Sequence, residues 1–136
     1  MDYVPLVNEQ IEDGKRLLER LSEEGVTVKA ACWLKETERS RWHLHFVSSL
    51  VDDTGERSPA YTRVRLLIEQ MPQPFRMDLA EVRFEKPNGR FSKALQELIR
   101  RSNGKLPLYL GSGALGGVSI DAAYIYAPIT APVQQT

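Results

Sequence analysis

The chain has 136 residues, 42% of them hydrophobic and 26% charged, which suits a globular domain with a core of its own. Lys and Arg total 18 and so do Asp and Glu, so no net charge draws the whole chain toward nucleic acid or a membrane surface. The single cysteine, Cys32, excludes an internal disulfide framework.

The start, Met1-Asp2-Tyr3-Val4-Pro5, lacks the basic and apolar run of a signal peptide, and a cytoplasmic location is expected. No apolar run approaches the roughly 20 residues of a membrane span, so a membrane is not expected as a partner. The charge is uneven along the chain. Residues 1–61 carry a net −4, residues 62–105 a net +5, and residues 106–136 hold a single charge, Asp121.

A first helix is predicted from Pro5 to about Glu24. Val7, Ile11, Gly14, Leu18 and Leu21 recur at intervals of four and three and share a face. Gly14 in that seam would permit close approach to a strand, and Gly25 is a natural stop. Residues 26–35 then alternate. Val26, Val28, Ala30, Cys32 and Leu34 fall on one side, and Lys29, Trp33 and Lys35 on the other. After a charged link, Trp42, Leu44 and Phe46 alternate with His43, His45 and Val47. Two antiparallel strands result, with one apolar face. The other face is mixed, formed by Lys29, Trp33, Lys35, His43 and His45, and is expected to look outward.

Ser58 followed by Pro59 reads as a helix start, with Ser58 as the cap. Tyr61, Val64, Leu67, Ile68 and Met71 form its buried stripe, and Pro72 and Pro74 end it. Val82 and Phe84 mark a short strand. Phe91, Ala94, Leu95, Leu98 and Ile99 share one face of a third helix, with Arg100 and Arg101 at its C-terminal end, where the helix dipole favours cations. Leu106, Leu108 and Leu110 suggest a strand whose Pro107 puts it at an edge. Gly111 to Gly117 reads as a flexible turn, and residues 118–126 as the last strand.

The order α-β-β-α-β-α-β-β, with five strands and three helices, predicts an α/β fold of the α+β type. Its expected form is a two-layer sandwich around a mixed sheet. A single domain is expected over residues 1–127, with a flexible tail over 128–136.

Several residues suggest chemistry. Gly111-Ser112-Gly113-Ala114-Leu115-Gly116 matches G-x-G-x-x-G, but a dinucleotide loop needs a following helix and a strand follows here. A glycine-rich hairpin is the expectation. His43 and His45 would share a strand face and could offer two imidazoles to a metal or act as acid and base. No dense set of further ligands and no nucleophile motif accompanies them, so neither a metal nor a cofactor is expected. Cys32 reads as a small buried hydrophobe.

The leading expectation is a non-enzymatic protein-binding or self-assembly domain. Its sheet face, with Trp33, His43 and His45, would meet a protein partner or a second copy. The alternatives are a nucleic-acid-binding module using the third helix through Arg100 and Arg101, and an enzyme built on the histidine pair.

Overall fold

The structure is a computed structural model and describes residues 6–52, 54 and 56–128. Pro5 as a helix opener, Asp53 and Gly55 in the loop after the hairpin, and the tail beyond Pro128 lie outside the described residues.

The first amphipathic segment folds as α1, Asn8–Glu23. Leu17, Leu18 and Leu21 supply its buried stripe, each contributing about 1.5–3 kcal/mol relative to exposure. The Val26 amide donates to Leu21 O at 2.9 Å and the Gly25 amide to Ser22 O at 3.0 Å, which closes the last turn. Strands β1, Val28–Glu36, and β2, Trp42–Ser48, follow as the predicted antiparallel hairpin.

Helix α2, Ser58–Gln70, then carries Ala60, Val64 and Leu67 into the core. Its cap differs from expectation. Arg57 occupies the cap position without a side-chain capping bond, its Nε donating instead to Phe84 O at 2.8 Å, and the Glu56 carboxylate accepts the Ser58 amide at 2.8 Å. Asp78 caps a single 3-10 turn over Leu79–Glu81 that leads into β3, Val82–Glu85. Helix α3 spans Arg90–Arg101. The chain ends in β4, Leu108–Leu110, β5, Gly113–Leu115, and β6, Val118–Ile125.

The α+β class, the mixed sheet and the predicted order of elements are therefore observed. The sheet runs β3-β2-β1-β6-β4, with β5 also paired to β6. The β2–β3 pair is parallel and the other pairs are antiparallel. Strand β5 is an addition, because residues 113–115 belong to the stretch expected to be a flexible turn. The turn proper is Gly116-Gly117, both at positive φ (59° and 85°), which suits a two-residue hairpin with right-twisted strands.

Helices lie on both faces of the sheet. Leu17, Leu18, Leu21, Val64 and Leu67 of α1 and α2 pack with Ala31, Trp33, Leu44, Phe46, Val82 and Phe84. Leu95 of α3 packs with Ala30, Cys32, Leu34, Val47, Ala123 and Ile125 on the opposite side. No helix among the described residues is long and apolar enough to cross a membrane.

The register of the hairpin corrects the expected faces. Trp33 stands opposite Leu44, while His43 stands opposite Leu34 and His45 opposite Cys32. Cross-strand partners share a face, so Trp33 lies on the α1–α2 side and the two histidines on the α3 side. A slip of one residue exchanges every side chain between faces. Both faces of this hairpin are apolar and covered, so alternation alone did not fix which strand face matched which.

Candidate functional site

The three residues expected to form an outward patch are split between the two faces of the sheet, with Trp33 and His45 buried and His43 half-buried. Trp33 is 0% exposed. Its indole N–H donates to Tyr126 Oη at 2.9 Å, and that hydroxyl donates in turn to Ile11 O at 2.7 Å, inside α1. Gly14 makes this possible. A Cβ at that position would stand 2.2 Å from Tyr126 Oη and 3.0 Å from Trp33 Nε1. Burial and the charge of neighbouring groups hold the Tyr126 phenol well above its usual range. The relay is a structural tie between α1, β1 and the end of β6.

The histidines sit on the other side of the sheet, above β3. Arg83 Nη2 lies 3.1 Å from His43 Nε2. A guanidinium can only donate, so His43 Nε2 accepts and the proton is on Nδ1. Desolvation, then the nearby Arg83 and His45, lower the His43 pKa, with Glu36 opposing, so the neutral ring is favoured. His45 is 6% exposed. Its Nδ1 lies 3.1 Å from Glu85 Oε2, which places the donated proton there. Its Nε2 has no hydrogen-bond partner among the described residues and stands 3.9 Å from Glu36 Oε2. The Phe91 ring of α3 covers it, centroid to centroid 5.5 Å.

A carboxylate-oriented imidazole is what a general base requires, but a base must also reach a substrate proton. Here α3 lies over the ring. The facing side chain across the hairpin is Cys32, which is fully buried, and burial together with the Glu85 charge pushes its thiol above its usual range. That is the opposite of an activated nucleophile. Among the described residues, no group of three or more His, Cys, Asp or Glu side chains is placed to hold a metal ion.

Arg100 and Arg101 are exposed at the end of α3, as expected, and both turn onto Glu97. Arg100 Nε donates to Glu97 Oε1 at 3.1 Å and Arg101 Nε to Glu97 Oε2 at 2.8 Å. Hydrogen bonds from Arg100 and then Arg101 hold the Glu97 carboxyl below its usual range. A groove of about 490 Å³ runs beside this triad, lined by Lys29, Pro87, Asn88, Lys93, Gln96, Glu97 and Arg100.

Two surfaces were not singled out from the sequence. A crevice between α1 and residues 74–81 holds adjoining cavities of about 350 and 290 Å³ that share Asp13 and Arg76. Asp13 is buried there and accepts the Arg76 amide at 2.9 Å. Arg16 donates to the carbonyls of Pro72 and Pro74, both at 2.6 Å, and so pins the crevice wall. Burial raises the Glu81 carboxyl at its far end. Asp13 gave no sequence signal, because one acidic residue on a charged helix looks like solvent-facing charge.

The second surface is the open border of the sheet at β4 and β5. From Leu106 to Ile120 the chain has no charged residue. Tyr109 is 63% exposed and packs edge-on against Tyr124, centroids 4.8 Å apart. On the α3 side, Leu98, Ile99, Leu106, Leu108, Leu110 and Val118 are only partly buried. The sequence signal was Pro107, read as an edge marker.

Comparison with known proteins yields no matching family model, no similar curated protein and no similar solved structure.

Proposed function

We propose that the chain is an assembly domain without catalytic activity that pairs with a second copy of itself through the β4–β5 border. Helices cover the sheet faces that carry Trp33, His43 and His45, so this reading takes the edge and not those faces as the contact surface. The observation that carries the reading is the uncharged border with its exposed Tyr109 and its row of half-buried leucines.

A free strand edge presents unpaired N–H and C=O groups, and edges that avoid pairing are usually blunted by charge, proline or a covering element. Here Pro107 precedes β4 and does not lie within it, and no Lys, Arg, Asp or Glu follows it until Asp121. Two copies related by a two-fold axis would meet without like-charge repulsion. Antiparallel pairing of the two borders would satisfy the backbone groups and join the half-buried leucines of both copies.

Sedimentation equilibrium tests the reading. The expected species is twice the 15.4 kDa chain mass. Leu110→Lys and Tyr109→Lys, each checked for folding by circular dichroism, should shift it to the monomer. A protein that stays monomeric at its highest soluble concentration would refute the proposal. So would a dimer indifferent to both folded variants.

A further inference from the structure

We infer that the groove beside α3 binds the phosphate backbone of nucleic acid without reading its sequence. The inference stands apart from the pairing border, because no residue lining the groove belongs to that border.

The chain is neutral overall, yet residues 86–105 hold six cations, Lys86, Arg90, Lys93, Arg100, Arg101 and Lys105, against one anion, Glu97. Glu97 is shared between Arg100 and Arg101, so that triad keeps a net positive charge. Lys29 reaches the same groove from β1, and Lys93 from the first turns of α3. Both are exposed, and neither forms an ion pair with a described residue. Gln96 Nε2 donates to Pro87 O at 3.1 Å, which fixes the 87–88 turn as the groove wall.

Lys93, Gln96, Glu97 and Arg100 follow one another at intervals of three, one and three, so they line one helical stripe about 10 Å long. An extended, open, cationic stripe fits a polyanion better than a single enclosed phosphate. Among the described residues, no aromatic side chain lines it. Base stacking is therefore not provided, and contact falls to the phosphates, which carry affinity but not sequence information.

Fluorescence anisotropy with a labelled mixed-sequence oligonucleotide, as duplex and as single strand, tests this on the full chain. Binding by either form is expected, with a slope of log K against log salt of about −2 to −4 for the three or four cations involved. Lys29→Glu/Lys93→Glu should weaken binding at least tenfold. Arg65→Glu, on α2 and away from the groove, should leave it unchanged. Scrambling the oligonucleotide sequence should also change nothing. Absence of binding at low salt would overturn the inference, as would binding that survives Lys29→Glu/Lys93→Glu. Equal or tighter binding to polyglutamate or to phosphatidylserine vesicles would overturn it too, because the surface would then accept any polyanion.

Discussion

Replacing Gly14 by alanine tests the relay of Trp33, Tyr126 and α1 most directly. Propensity alone predicts a gain, since alanine is favoured over glycine in a helix interior by about 1 kcal/mol. The structure predicts a loss. The new Cβ would lie 2.2 Å from Tyr126 Oη, so the hydroxyl must leave. Its departure strands the indole N–H of Trp33, which has no access to water. An unpaired buried donor costs about 1–3 kcal/mol, and the lost bond to Ile11 O adds about 1 kcal/mol. The net is a destabilisation of about 1–3 kcal/mol, read as a lower urea midpoint at unchanged slope, or a fall in Tm of about 4 °C per kcal/mol.

The decisive measurement is the double mutant. Tyr126→Phe alone also strands the Trp33 donor and should cost about 1–3 kcal/mol. Once the hydroxyl is gone, the closest remaining contacts of the methyl introduced at position 14 are at 3.0 and 3.2 Å. That methyl then has no bond left to break, so Gly14→Ala added to Tyr126→Phe should cost close to nothing. The two changes should be non-additive by at least about 1 kcal/mol. Additive costs, or a Gly14→Ala variant more stable than the parent, would refute the reasoning.

Other expected outcomes can be checked by the same denaturation assay. Asp121 accepts from buried Lys35 Nζ at 2.9 Å, so Asp121→Ala should cost about 3 kcal/mol by taking this carboxylate away from a buried ammonium, and Asp121→Asn less. Gly116→Ala combines a positive φ with a Cβ 2.6 Å from Phe91 Cα, so it should cost about 2 kcal/mol or more, with loss of α3 packing visible by hydrogen exchange. The folded-state pKa of His43 lies below its unfolded value. Its contribution is therefore complete above about pH 6.5 and is lost as pH falls below it; His43→Gln should flatten that part of the stability–pH curve. The Glu81 carboxyl is raised instead, so its contribution is lost as pH rises above its unfolded pKa, and Glu81→Gln should raise stability at neutral pH.

Much of the fold is legible in the residues. The stripes Tyr61-Val64-Leu67 and Phe91-Leu95-Leu98 give α2 and α3, because a helix that covers a sheet on one side only must alternate with water on the other. The hairpin shows where that logic stops. Ala31 and Trp33 are as apolar as Ala30 and Cys32, and both rows are covered by helices. A strand buried on both sides loses the alternation that would fix its register. The expected grouping of Trp33 with His43 and His45 failed for that reason. The candidate site was legible at Arg100 and Arg101, which the sequence placed on an exposed helix end. Lys29 joins them through tertiary contact alone. Asp13 and Arg76, 63 positions apart, meet by a bond from the Arg76 amide to the Asp13 carboxylate that no local pattern announces.

The sheet has two unlike rims. The β3 rim carries Arg83 and Glu85, both engaged with the histidines, and Lys86 follows directly. The rim at the other end is bare of charge and broken at Gly111-Ser112 between its two short strands. In the proposed pairing, two bare rims would consume one another, and the pair would show only its decorated sides. Lateral growth would then end at two molecules, so the feature proposed to invite a companion would also guard against fibres.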